Sequence, residues 1–223
     1  MKSQRNRTLE MILRFTTILS VVLIIGCTGT SPETEEATDA TLPANEAGIV
    51  FGQAPAAVGG IPSVVMLSPA PGEDNSAPVF EPNPVIDQFG LVFSPSILLI
   101  GMGQSVTFTN SESLAHNVNL RQIETDAMVL NVDTDPTESA QYTFDESGGY
   151  DVRCDVHPGM TAFVFASPTP YTVFADLDGN FALSDVPPGS YTLTVWSTNE
   201  ALNSERTVEV GEGQTELDAG PGS

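Results

Sequence analysis

The sequence predicts an all-β protein, and three observations carry that expectation. From Ala47 onward no stretch keeps a helical period over three turns. The apolar residues come in short runs bounded by Gly and Pro, as the strands of a sandwich do. Between the runs lie turn signals such as Gly148-Gly149, Asp178-Gly179-Asn180 and Pro187-Pro188-Gly189. These residues favour turns for a physical reason: Gly and Asn tolerate positive φ, and Pro presets its own φ.

Ahead of the β region, Lys2, Arg5, Arg7 and Arg14 accompany an apolar run over residues 15–25 and then Gly26-Cys27. A basic head with a short apolar core marks a secretory signal, assigned to residues 1–26, and is too short for a comfortable membrane span. The ending Leu23-Ile24-Ile25-Gly26-Cys27 resembles a bacterial lipobox. That resemblance implies cleavage before Cys27, lipidation of its thiol, and a place in a bacterial cell envelope, at the periplasmic side or the cell surface. The rival readings are an uncleaved anchor and a plain signal with a later cut. In each case the folded part is exported, so Cys27 is not counted as a disulfide partner for Cys154. Residues 27–46 are rich in Thr, Glu, Ser, Ala and Pro with no apolar periodicity, and read as a disordered tether.

Strands follow in order. Ile49-Val50-Phe51 and Ser63-Val64-Val65-Met66-Leu67 come first, and residues 68–84, rich in Pro, Gly, Asp and Asn, form a loop. Residues 86–93 and 96–100 open a second series, which turns at Gly101-Met102-Gly103-Gln104 into residues 106–110. It continues through residues 140–144, the strand leading to Cys154, and residues 161–165.

Within the second series lies Cys154-Asp155-Val156-His157-Pro158-Gly159-Met160, a Cys-x-x-His-x-x-Met pattern. The other histidine, His116, stands in Ala115-His116-Asn117-Val118. Two imidazoles, a thiolate and a weak thioether make up the donor set of a blue-copper electron-transfer centre, because soft and borderline ligands suit both Cu(I) and Cu(II). Zinc could use the same Cys and His donors, but a thioether is a poor zinc ligand and structural zinc sites carry more cysteines. Tyr150, Val152 and Cys154 alternate on one strand face, and the His-Pro-Gly-Met turn brings His157 and Met160 back toward the thiol.

These residues resemble the cupredoxin family, and the short ligand loop is most similar to its amicyanin-like members. The resemblance implies a Greek-key sandwich over residues 71–167 that holds one type 1 copper through His116, Cys154, His157 and Met160. It implies that Asn117 ties the two ligand loops together and tunes the thiolate. It also implies an electron port at the His157 edge, in an apolar rim including Pro158 and Leu114. Ala115 departs from the Pro common at that position, which bears on loop stiffness more than on ligation. Asp155, between two ligands, places negative charge beside the copper and should lower its potential.

Asp178-Gly179-x-Phe181 and Val186-Pro187-Pro188-Gly189-x-Tyr191-Thr192-Leu193 resemble a carboxypeptidase regulatory-like, or transthyretin-like, sandwich. Its usual opening strands are missing just before Tyr171, yet Gly48-Ile49-Val50-Phe51-Gly52 and residues 63–67 have their pattern. The expectation is therefore a discontinuous sandwich, residues 47–70 and 168–217, with the copper domain inserted and a tail at residues 218–223. Tandem domains are the simpler alternative. Trp196 falls on the strand face opposite Tyr191, Leu193 and Val195, where an exposed ring would be needed for sugar binding, a role left without support. Asp176, Asp178 and Asn180 read as a β-turn, lacking the downstream Glu of a calcium loop.

Of seven basic residues four lie in the leader, and of 29 acidic residues only Glu10 does, so the exported part carries 3 positive against 28 negative charges, a formal −25. Such a surface repels nucleic acid and anionic lipid headgroups; it either steers a basic redox protein or simply keeps the protein soluble. No Gly-x-Ser-x-Gly, phosphate-binding Gly-rich loop or His-Glu-x-x-His occurs, and no enzyme activity is expected. The sequence therefore reads as an exported, lipid-anchored carrier of single electrons. The alternative is a copper-delivery protein or surface interaction module with a non-shuttling metal site.

Overall fold

The computed structural model describes residues 47–72 and 80–220. The expected signal, the tether and Cys27 lie outside these residues. Within them sixteen strands form four sheets, and the only helical segment is the 3-10 turn Glu200–Leu202. Among the described residues no helix is long and apolar enough to cross a membrane.

The middle of the chain builds one pair of sheets. Strands β5 (Ile97–Gly101), β7 (His116–Gln122), β8 (Met128–Thr134), β10 (Gly148–Arg153) and β11 (Thr161–Ser167) form a sheet of order β5-β11-β10-β7-β8. Facing it is β4-β3-β6-β9, from β3 (Val85–Gln88), β4 (Phe93–Ser94), β6 (Ser105–Asn110) and β9 (Ser139–Thr143). Ile86, Phe108, Val118, Leu120, Phe144, Val152 and Val164, all fully buried, fill the space between.

The first and last parts of the described residues share the other pair. Sheet β12-β2-β14-β15 joins β2 (Val64–Pro69) to β12 (Tyr171–Phe174), β14 (Gly189–Trp196) and β15 (Ser204–Val210). Sheet β13-β1-β16 joins β1 (Gly48–Gln53) to β13 (Asn180–Val186) and β16 (Gln214–Asp218). The chain leaves this pair after β2 and re-enters at β12, its antiparallel neighbour, with Tyr171 opposite Leu67. Thr169 ties exit to return, its hydroxyl donating to the Leu67 carbonyl at 2.7 Å.

The two sandwiches stack into four layers because β2 and β11 are apolar on both faces. Val65 and Leu67 enter the core around Tyr191 and Leu193, while Val64 and Met66 point the other way. Ala162, Val164 and Ala166 enter the core below the metal-ligand candidates, while Phe163 and Phe165 meet Val64, Met66 and Trp196. Period-two alternation with both faces covered is why residues 63–67 and 161–166 read as unbroken apolar runs. The Trp196 indole stacks on Phe163 at 5.4 Å and donates its N–H to Glu124 Oε1 at 2.7 Å. Glu124 Oε1 also accepts from the Gly149 N–H at 3.0 Å. Trp196 is therefore a buried interdomain side chain, not an exposed sugar platform.

Several elements depart from the sequence expectation. The run at residues 86–93 is not one strand: Gly90 and Leu91 take positive φ (69° and 60°) and fold it into the β3/β4 hairpin. Strands β8, β15 and β16 carry alternating polar residues on solvent faces and offered too little apolar signal to be read. The tail starts later than residue 218: β16 reaches Asp218, and the fully buried Ala219 donates its N–H to the Gln53 carbonyl. The turn at Asp176 is an ordinary one, its Oδ1 accepting from the N–H groups of Asp178 and Asn180. Gly179 there has φ 96° and passes so near the Ala54 carbonyl that a Cβ would lie 2.1 Å from it.

Gly149 is the contact that lets the two sandwiches close. A Cβ there would lie 2.5 Å from Trp196 Cζ2 and 2.7 Å from Cη2, with no flexible side chain to yield. Gly149→Ala should destabilise the protein by about 1–3 kcal/mol, the usual range for overpacking. Denaturant unfolding followed by the emission of Trp196, the sole Trp, checks this; an unchanged midpoint would show that the interface adjusts freely.

Candidate metal centre

Strand register brings the donors together. Strand β10 runs antiparallel to β7, with Arg153 opposite Asn119, and antiparallel to β11, with Arg153 opposite Thr161. His116, the first residue of β7, Cys154, just past β10, and Met160, just before β11, therefore gather at one end of the sheet. The loop between Cys154 and Met160 closes on itself: the Cys154 N–H donates to the Met160 carbonyl at 3.1 Å, and the Met160 N–H to the His157 carbonyl at 3.2 Å.

His116 Nδ1 and His157 Nδ1 are 3.0 Å apart, and Cys154 Sγ lies 3.9 Å from the first and 3.7 Å from the second. All three donors fall within 4.8 Å of one another. Metal bonds of about 2.0 Å to nitrogen and about 2.3 Å to sulfur would make a triangle of this size around one ion. His116, Cys154 and Met160 are 1%, 5% and 2% exposed, whereas His157 is half-buried and Pro158 exposed. The donor set thus fits a soft, redox-active ion held in a largely dry pocket with one imidazole edge toward solvent.

Two polar groups that sequence reading passed over orient His116. Its Nε2 lies 3.0 Å from Glu112 Oε2, so the proton belongs on Nε2 and the Nδ1 lone pair faces the cluster. The Leu91 N–H holds the Glu112 carboxyl below the usual range, burial works against this, and the His116 contact adds to the lowering. Asn110, buried, pins the loop carrying Glu112: its amide donates to the carbonyls of Leu114 and Thr134, both at 2.8 Å, and its Oδ1 accepts the Glu112 N–H. The spacing Glu112-x-x-x-His116 was the available signal, but four residues apart in a loop implies no contact until the turn is known.

Asn117 lies beside the ligand loop. Its Oδ1 is 3.5 Å from the Asp155 N–H, and its amide donates to Asn131 Oδ1 at 2.8 Å and Asp133 Oδ1 at 3.1 Å. The carboxylate of Asp155 turns to the same hairpin, toward Asn119 and Asn131. Leu114 and Val156 are exposed around the His157 end, as are Leu91 and Val92 of the β3/β4 turn, itself bonded to Glu112.

Comparison with known proteins agrees with this architecture. Residues 83–166 match the family described as copper binding proteins, plastocyanin/azurin family. Residues 168–217 match polysaccharide lyase family 4, domain II, a fibronectin-type-III-like family. The chloroplastic plastocyanin of Tetradesmus obliquus is 34% identical over 83 residues, covering 33% of this chain and 55% of that protein. The chain thus spans about half the length of that relative. Among solved structures, the reduced state of an amicyanin mutant is 25% identical, covering 46% of this chain and 98% of that one, with a TM-score of 0.36. A purple cupredoxin from Nitrosopumilus maritimus is 26% identical, covering 37% and 96%, with a TM-score of 0.33. The family and curated matches support a cupredoxin domain here, with a His-Cys-His group suited to a type 1 copper site.

Removing a group that orients a ligand imidazole typically costs about 10–100-fold in metal affinity. Glu112→Ala should lose affinity in that range while Glu112→Gln, which can still accept from Nε2, loses less. Chelator competition on the two variants decides; equal losses would show that charge, not orientation, is what Glu112 supplies.

Proposed function

We propose that the chain is an exported type 1 copper protein that carries single electrons between redox partners. The observation that carries this reading is the convergence of two imidazole Nδ1 atoms and one cysteine Sγ within 4.8 Å at the buried end of a β-sandwich. His116, Cys154, His157 and Met160 would hold copper, which supplies the one-electron couple when bound. Burial of three of these residues favours the carrier over copper delivery, since delivery needs an open, labile site.

The residues do the rest by position. Glu112 and Asn117 hold the His116 side of the site against the ligand loop, so little has to move when the electron arrives. His157 presents its outer edge, with Pro158, Leu114 and Val156 as an apolar rim that excludes water at contact. A basic redox protein is the partner that a −25 surface would steer. In this reading residues 1–26 direct export, lipid on Cys27 and the tether over residues 27–46 hold the protein at the envelope, and residues 71–167 are the copper domain. That domain is inserted into a regulatory-like sandwich, residues 47–70 and 168–217, which serves as its rigid support.

Two measurements test the reading. The metal-free protein given one equivalent of Cu(II) should develop an intense thiolate-to-copper visible band that Cys154→Ser abolishes; a colourless protein would sink the proposal. The Asp155 charge should favour Cu(II), so Asp155→Asn is expected to raise the midpoint potential in voltammetry, and an unchanged midpoint would remove that charge effect.

A further inference from the structure

Besides its run into β10 and β11, the ligand loop is fastened to the β7/β8 hairpin mainly by one side chain next to Cys154. Both oxygens of Asp155 accept from the Asn119 amide, at 3.1 and 3.0 Å, and Oδ2 also accepts from Asn131 Nδ2 at 3.4 Å. The loop's backbone contact with the same hairpin, Asp155 N–H to Asn117 Oδ1, is longer, at 3.5 Å. The other backbone bonds of the loop, Cys154 to Met160 and Met160 to His157, are internal to it. What fastens the loop to the hairpin that begins with His116 is therefore chiefly a carboxylate gripped by amides.

Register explains the grip. Asn119 and Asn131 are directly opposed across β7 and β8, and Asn117 opposes Asp133. All four lie on the outer face, since Val118, Leu120, Leu130 and Val132 between them face the core. Amide side chains at adjacent cross-strand positions reach one another, and here they converge on the residue that follows Cys154. Arginine does not serve instead: Arg121 pairs with Asp126, Arg153 with Asp151, and Arg206 donates to the Asp218 carbonyl. No lysine follows Lys2. In a chain this acidic, neutral amides accommodate the carboxylate without removing its charge.

We infer that Asn119 is a positioning residue for the metal centre, acting through Asp155: the bridge sets the placement of Cys154 and His157 relative to His116 and so governs how tightly the metal is retained. This rests on the copper-carrier reading for the metal, but the bridge itself is a property of the loop. Position and charge separate cleanly, because Asn119→Ala removes the main grip and leaves the Asp155 charge in place, whereas Asp155→Asn removes the charge.

The experiment uses the full chain with Asn119→Ala, Asp155→Ala, the double variant and Asp155→Asn. Two quantities are read: the rate at which Cu(I) is lost to a chelator, and hydrogen exchange of the amides of residues 155–157, 159 and 160 in metal-free protein. The bridge requires that Asn119→Ala and Asp155→Ala each speed Cu(I) loss about tenfold, that the double variant add little to either, and that loop exchange quicken in all three. If Asn119→Ala changes neither quantity while Asp155→Asn changes Cu(I) loss, the charge alone matters and the inference is overturned. If the unaltered protein takes up no copper, the carrier reading falls. Exchange then judges the bridge alone: faster loop exchange in Asn119→Ala sustains it, and unchanged exchange overturns it.

Discussion

The antiparallel pairing of β10 with β7 on one side and β11 on the other is the constraint from which the rest follows. One register places His116, Cys154 and Met160 at the same end of a sheet. The same two strands, β10 and β11, carry Gly149, Phe163 and Phe165 to the face that meets the second sandwich. A side-chain period of two makes the two tasks compatible, since a slip of one residue would exchange core and interface residues throughout β11.

That arrangement ties the metal centre to the whole molecule. Ala162, Val164 and Ala166 of β11 belong to the core that includes Cys154 and Met160, while the side chains between them lie against Val64, Met66 and Trp196. Close-packed interiors transmit strain and resist small displacements, and a donor triangle supported from behind by two layers of sheet is held accordingly. Glu112 and Asn110 on one side and the Asn117, Asn119 and Asn131 amides on the other supply the polar part of the same support. Thr169, bonded to Leu67 where the chain crosses between sandwiches, keeps the crossing short and close to both.

The charge distribution separates roles by position. All three arginines beyond residue 26 are occupied by acceptors of the protein itself, which leaves the surface overwhelmingly anionic. Around His157 lie the exposed apolar side chains Leu114, Val156 and Pro158.

The sequence by itself determined the all-β class, the donor types and the chain segments that supply them. Cys154, His157 and Met160 are adjacent in sequence, and a strand leading into a turn must bring such neighbours back upon one another. The repeated Gly and Pro turns likewise marked the strands that have a clear apolar face. Tertiary structure alone decided what depends on distant register: that His116 Nδ1 lies 3.0 Å from His157 Nδ1, and that Asp155 faces Asn119 and Asn131. It also decided that Trp196 closes an interface with Phe163 and Gly149 in place of facing solvent. Strands such as β8 and β15 stayed illegible because half their side chains meet water and pattern alone does not separate them from loops. Local adjacency is written in the chain, whereas contacts between positions 24 to 72 residues apart exist only once the sheets have formed.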